Sequence, residues 1–416
     1  MNYRMYILLL LLLLLVNTAF TQAVTLEMCR NAAHDNYPSI KQYGLIEKSR
    51  GLDVSNASKA WIPGVRVSGV AVGFTDLLDK DKTGGMIDLS NGIYAGALTI
   101  SQTVYDGGLI KARKDIIKAE ADVRERKLDI DFNDLDARIE EIYFGILMLD
   151  ENLRQIGLLQ DNLDIAGRTV KSLMDGGLAS QADLDVVNVN RIESQKEQIR
   201  LKNMRKTYVM MLSYFCPTVT ELQNDTTVLE IPGSISSKES SDSYTLSMFE
   251  ARESVLDAQK KELNSRIIPK INAFAMGALH NNIMPQMHNA NLFVGGMIQW
   301  NIGAFYTRRN DLLKLENSRN LINTERETFL FEKRLQQQSA DNRIESIRQM
   351  MELDDKTISF RESIMDKSRT KVVNGTETIN EMLRNINELC SARLQKSIHE
   401  IELLKELYKL DNLNLK

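Results

Sequence analysis

The sequence has little of what makes tight turns: its 416 residues include 22 glycines and 6 prolines, and only 6% are aromatic. That scarcity argues against an all-β protein built from many hairpins and favours long helices. It also lacks an excess of either charge. With 52 basic and 56 acidic side chains the formal net charge is -4, so nothing is available to neutralise phosphates and no nucleic-acid partner is expected. Cysteine is nearly absent. Cys29, Cys216 and Cys390 are far apart and lack metal-ligand spacing, so they read as buried, unreactive thiols. There is no phosphate-cradling glycine loop with Lys and Ser/Thr, no paired-histidine helix motif and no nucleophile elbow, so the chain does not read as an enzyme and no cofactor is expected. The histidines His34, His280, His288 and His399 are dispersed; His280 and His288 flank Asn281 to Met287, whose simplest place is a hairpin tip, with metal capture the lesser reading.

A spanning helix needs about twenty apolar residues, and the run Ile7 to Val16 stops well short of that. With Arg4 before it and Thr21-Gln22-Ala23 after it, residues 1–23 read as an export signal. Cys29 follows Leu26-Glu27-Met28, which lacks the small residues of a bacterial lipid-attachment site, so lipidation is not expected.

The stretch "ALTISQTVYDGGLIKARKD", Ala97 to Asp115, changes its period within a few positions. Leu98, Ile100, Gln102 and Val104 alternate with Thr99, Ser101 and Thr103 as in a strand with one mostly apolar face. Asp106-Gly107-Gly108 interrupts, and a helical pattern follows from Leu109. This junction reads as the border between two environments.

The chain also carries an internal duplication. Ile100 and Ile298, Val104 and Ile302, Gly177 and Gly375, and Asp183 and Glu381 are each 198 positions apart. Ile62-Pro63 and Ile268-Pro269 are 206 apart, so the second half is eight residues shorter between that anchor and the next strand, where a loop varies most easily. Each half reads helix, strand, loop, strand, very long helix, tight turn, helix. The first half, 24–215, has these elements at Leu26 to Ala60, Val65 to Phe74, Tyr94 to Tyr105, Leu109 to Met174 and Gln181 to Phe215. The second, 243–416, has them at Tyr244 to Arg266, Ile271 to Leu279, Leu292 to Ile302, Thr307 to Val373 and Glu377 to Leu410. Residues 216–242, with Pro217 and Pro232 among Ser, Thr and Asp, form a linker or equatorial segment.

In the first long helix Leu128, Leu135, Ile142, Leu149, Ile156, Leu163 and Val170 recur every seventh residue, with Phe132, Ile139, Ile146 and Leu153 as companions. Ile344, Met351, Ile358, Met365 and Val372 repeat the pattern in the second. A strict seven demands a helical partner and a left-handed supercoil, so these stripes are packing surfaces. A helix of roughly 65 residues extends about 100 Å, too long for a compact globule. The shorter helices, stacked end to end, roughly match it. Four strands suit tilted membrane-spanning segments, yet single-chain barrels begin at about eight strands and an open edge cannot face lipid. Closure must therefore come from other copies, and three copies would give twelve strands. An exported coiled-coil scaffold without a channel is the rival reading. It gives no reason for paired strands of membrane length ending in Tyr94, Tyr105 and Trp300.

These features resemble the TolC family of outer-membrane efflux proteins over essentially the whole mature chain. "VTLEMCRNAAHDNYPSI" is similar to the family's start after the signal peptide, "SQTVYDGG" to its strand-to-helix signature, "DGGLASQADL" to its first periplasmic turn, and "NGTETINEMLRN" to its second. "WNIGAF", Trp300 to Phe305, lacks the Asp-Gly-Gly of the first junction. The resemblance implies a mainly α homotrimer with a small membrane β part: a 12-stranded barrel in the outer membrane continued by a 12-helix periplasmic barrel. It implies a periplasmic adaptor and an inner-membrane pump as partners, with small molecules or polypeptides as cargo. It also implies that the two turns close the periplasmic entrance. Glu381 falls at the first acidic position of that entrance, with Asp183 and Asp185 in the first turn; Arg384 stands where the family can carry a second acid, so Glu381 and Arg384 from three copies could pair rather than repel, and a purely acidic constriction is not expected. Asp183 is equally read as a charge complementing the start of its helix. Gly176, Gly177 and Gly375 read as turn geometry.

Overall fold

Pro38 divides the first expected helix in two. Proline has no N–H and disfavours helical backbone in the residue before it, and Tyr37 accordingly turns to φ -65°, ψ 129°. Helix α1 (Leu26–Asn36) therefore ends there, and a 3-10 turn (Pro38–Ile40) leads into α2 (Lys41–Ser58). The expectation of one helix from Leu26 to Ala60 is corrected accordingly. In this computed structural model the described residues are 23–72, 93–219, 228–232, 241–280 and 290–413. The export-signal reading at 1–22, the hairpin-tip reading at 281–289 with His288, and the linker residues 220–227 and 233–240 lie outside them.

The remaining elements are β1 (Gly64–Val72), β2 (Ile93–Tyr105), α3 (Leu109–Asp175), α4 (Gln181–Phe215), α5 (Ser241–Arg266), β3 (Lys270–His280), β4 (Ala290–Gln299), α6 (Ala304–Val373) and α7 (Ile379–Leu413). Order and type are those expected from periodicity, and boundaries move by a few residues. Ile302 lies in the turn before α6, and Glu377 in the turn before α7.

Two units can be described, each drawing on both halves of the chain. One comprises Met1–Ile40, Asp129–Ser243 and Phe331–Lys416. Among its described residues it is helical, with a core of Ile139, Tyr143, Phe144, Ile146, Leu163, Leu212, Ile347, Met382, Ile386 and Leu389. Leu135, Ile142, Leu149, Leu163 and Val170 of the α3 stripe are buried, as a packing stripe requires. Val24 bridges Leu229 in parallel, and the Tyr143 hydroxyl lies 2.7 Å from Val24 O and 2.6 Å from Glu230 O. The N-terminal segment is thus seated on α3, where Arg30 pairs with Glu140 and His34 with Asp136 at 2.8 Å.

The other unit comprises Lys41–Leu128 and Tyr244–Leu330. It holds a four-stranded antiparallel sheet in the order β1-β2-β3-β4. Phe249 of α5 meets Phe329 of α6 edge-on, and Arg326 pairs with Glu253 at 2.9 Å.

Candidate functional site: two helical turns and a two-faced sheet

At the first strand-to-helix junction, Asp106 is buried and its carboxylate accepts the N–H of Gly108 at 2.9 Å and of Ile110 at 2.6 Å. It caps amides that open α3 and have no helical partner. Gly107 has φ +71°, and a Cβ there would come within 2.7 Å of Ile268 Cβ. The glycine is required by both its backbone conformation and its neighbour. The second junction turns differently: Ala304 N–H donates to Asn301 O and Tyr306 N–H to Gly303 O, while Trp300 Nε1 donates to Ile267 O at 2.9 Å. Its glycine, Gly303, is not in the left-handed region, which fits the absence of Asp-Gly-Gly there.

The two helical turns share one hydrogen-bond pattern. At the end of α3, Leu178 N–H donates to Leu173 O at 2.8 Å and Gly177 N–H to Met174 O at 2.9 Å. At the end of α6, Thr376 N–H donates to Lys371 O at 2.9 Å and Gly375 N–H to Val372 O at 3.0 Å. Both satisfy the last carbonyls of a long helix through one left-handed residue, Gly177 at φ +74° and Gly375 at φ +70°. Gly176 precedes that residue with ordinary backbone.

The next helix begins with a reciprocal cap in each case. Asp183 accepts the Ser180 N–H at 2.9 Å and its hydroxyl at 2.7 Å, while Ser180 Oγ accepts the Asp183 N–H at 3.3 Å. Glu381 accepts the Thr378 N–H and hydroxyl, both at 3.3 Å, while Thr378 Oγ1 accepts the Glu381 N–H at 3.2 Å. The backbone N–H of Ser180, then its hydroxyl, hold the Asp183 carboxyl below its ordinary range. Asp185 accepts from Gln181 Nε2 at 2.9 Å. Arg384 is exposed, and within the chain no ion pair among the described residues joins it to Glu381.

The turns meet in one cluster. Leu163, Ala166 and Val170 of α3 and Val187 of α4 pack with Val372 of α6 and Ile379, Met382, Leu383, Ile386 and Cys390 of α7. A ladder outside the cluster ties α6 to α7: Arg361 to Glu388, Glu362 to Arg393 at 2.6 Å, Asp355 to Lys396 at 2.6 Å and Asp354 to His399 at 2.6 Å. One feature of the second turn escaped the sequence reading. Glu377 accepts from Ser368 Oγ and from Asn385 Nδ2 at 3.3 Å, with Lys371 Nζ 3.7 Å away. Glu377 was legible only as a helix start, because its partners lie a helix turn or more away on two different helices.

The cross-strand register sorts the sheet into two faces. Val65 pairs with Ile100, Val67 with Leu98, Leu98 with Gly277 and Gly277 with Leu292. Val65, Val67, Leu98, Ile100, Val104, Ala273, Ala275, Leu279, Leu292, Val294 and Ile298 therefore share a face, with Gln102 its polar exception. The opposite face is mixed: it carries Arg66, Ser68, Thr99, Ser101, Thr103, Lys270, Asn272, Asn291 and Gln299, together with Val70, Val72, Phe274, Met276, Phe293 and Met297. Val67 and Val294 are 80% and 76% exposed, so among the described residues nothing covers them on the apolar face. Among the described residues β1 and β4 pair with no further strand and are the sheet's edges. His280 lies on the mixed face with Asn291 Nδ2 3.4 Å from its Nε2, and no group of metal-ligating side chains occurs among the described residues.

The likeness that the motifs carry is repeated by the tertiary structure. No protein-family model and no curated protein matches the sequence. Solved structures do match. The chain superposes on VceC, an outer membrane protein of Vibrio cholerae, with a TM-score of 0.70 at 10% identity, covering 92% of this chain and 94% of that one. The CmeC outer membrane channel of Campylobacter jejuni gives 0.66 at 11% identity, covering 93% and 85%. A membrane protein from Pseudomonas aeruginosa gives 0.72 at 11% identity, covering 93% and 89%. With its long paired helices, two glycine turns and four-stranded sheet, the chain has the fold of the TolC-family outer-membrane channels.

Proposed function

We propose that the chain is the protomer of a homotrimeric outer-membrane channel that receives small molecules or polypeptides from a periplasmic adaptor and an inner-membrane pump. The observation that carries this reading is the sheet: among the described residues, an apolar face left exposed and bounded by two edges without a strand partner. Unpaired strand edges are costly in lipid, and four strands are too few to close a barrel alone. Three copies supply twelve strands, put the apolar face against lipid and the mixed face, which carries Arg66, Thr99, Ser101, Thr103 and Asn272, around a lumen. Exposed apolar residues on the helices support the same assembly. Phe331, Leu335, Leu353, Phe360 and Ile364 on α6, and Val189, Ile192 and Ile199 on α4, are exposed among the described residues. They suit the flanks of neighbouring copies in a helical barrel.

Energy for transport would come from the pump, since the chain reads as a conduit without chemistry of its own. The paired turns form the closed periplasmic entrance, with Asp183, Asp185, Glu381 and Arg384 at its rim and Gly176, Gly177 and Gly375 shaping the tips an adaptor grips. Fractionation of producing cells and native mass measurement test the reading. The outer-membrane fraction should contain the chain, and the detergent-extracted particle should weigh three chains. A chain that stays soluble in the periplasm, or extracts as a stable monomer, refutes it.

A further inference from the structure

Cys29 and Cys216 are 187 positions apart, yet the fold brings them together in the helical unit. Both are fully buried. Cys216 Sγ donates to Cys29 O at 3.0 Å, which sets one sulfur against the backbone of the other cysteine. Neither sits on a loose segment. Cys29 is in the first turn of α1, where its N–H donates to Thr25 O at 3.2 Å and the adjacent Arg30 is paired with Glu140. Cys216 caps the end of α4, its N–H donating to Leu212 O at 2.9 Å. Cys390 lies apart, in the cluster beneath the turns.

We propose that Cys29 and Cys216 are a disulfide-forming site that covalently closes the first half of the chain, from α1 through the end of α4. The inference rests on the channel reading only for the compartment: an exported chain meets oxidising conditions, where a disulfide between neighbouring thiols persists. The oxidant is the disulfide of a thiol–disulfide oxidoreductase, R–S–S–R. A thiolate of one cysteine attacks it and releases R–SH; the second cysteine displaces the other R–SH, leaving Cys29–S–S–Cys216 and two reduced thiols. Oxidation of the two cysteines is balanced by reduction of the partner disulfide. The hydrogen bond with Cys216, and then burial, push the Cys29 thiol up, and both sulfurs are fully buried in the folded chain, out of reach of a partner disulfide. The bond therefore forms while the exported chain is folding, before the site closes.

Thiol counting decides it. Producing cells are lysed in denaturant with excess N-ethylmaleimide, the chain is recovered from the outer-membrane fraction, and its mass and non-reduced peptides are read. One alkylated thiol, with the Cys29 and Cys216 peptides linked, is expected; the Cys390→Ala variant should then carry none. Three alkylated thiols on outer-membrane protein, or a link that includes Cys390, overturn the proposal and leave the channel reading intact. Absence of the chain from the outer membrane instead refutes the channel reading. The pair is then decided by refolding the purified chain from denaturant with oxidised glutathione, where a Cys29–Cys216 link upholds it and three free thiols overturn it.

Discussion

Glu377 stands in the second turn where Ala179 stands in the first, 198 positions earlier, and it accepts hydrogen bonds from Ser368 and Asn385 where the first turn has only carbon. The same offset relates Ser368 to Val170 and Asn385 to Val187. Val170 and Val187 are fully buried, whereas Ser368 is 2% and Asn385 9% exposed. Two turns of one hydrogen-bond pattern are thus held from beneath by different chemistry: apolar contact under one, a hydrogen-bonded carboxylate under the other.

Glu377→Ala should therefore destabilise the second turn by about 1–3 kcal/mol, the usual cost of leaving buried polar groups without a partner. The combined variant Ser368→Val, Glu377→Ala, Asn385→Val, which copies the first turn, should recover most of the loss. Thermal melting of the extracted protein, followed by circular dichroism, compares the three. Equal midpoints for the single and combined variants would show that the carboxylate is not what matters.

Loss of either reciprocal cap, by Asp183→Ala or Glu381→Ala, should cost about 0.5–2 kcal/mol. For Asp183 the cost should vary with pH. Its folded pKa lies below its unfolded value, so the carboxylate's contribution is complete above that unfolded value, about 4, and fades as pH falls through the folded pKa. The difference between parent and Asp183→Ala should be present at pH 7 and shrink toward zero in strong acid. A difference that grows on acidification would contradict the assignment.

Replacing Glu381 and Arg384 together with Ala should change single-channel conductance in planar bilayers by several-fold if both line a closed entrance. Wild-type conductance and wild-type drug sensitivity in the same variant would remove them from the gate and leave Glu381 with its capping role alone.

Gly107→Val should abolish accumulation of folded protein in the membrane, because a side chain there meets Ile268 at 2.7 Å and is held at φ +71°. Gly303→Ala should be nearly silent. Its nearest obstacle is the Asn301 side-chain oxygen at 3.3 Å, and its backbone is not left-handed. Western blots of membrane fractions distinguish the two, and comparable losses would mean the junctions are more alike than their hydrogen bonds indicate.

Much of this architecture is legible before any coordinates. The seven-residue spacing of Leu128 through Val170 locates α3, alternation from Leu98 to Val104 locates β2, and Gly177 and Gly375 locate the turns, because each signal is carried by residues within a few positions of one another. The break at Pro38 is carried by a single residue, and helical character on both sides of it masks the interruption. Asp183 was readable as a cap from Ser180 three residues before it; its choice between cap and entrance was not, since a rim needs other copies to exist.

What the sequence alone determined is periodicity: which segments are rods, which are strands and where the chain must turn back, since those follow from steric and solvation preferences along a local stretch. Only the tertiary structure decided which distant residues share a surface. The pairing of Leu98 with Gly277 that assembles a continuous apolar face, the meeting of Cys29 with Cys216, and the seating of Glu377 between Ser368 and Asn385 each join positions whose local patterns carry no record of one another. A period states which way a side chain points relative to its own axis. The partner on the other side is chosen by packing, where register, burial and hydrogen-bond satisfaction must be met together.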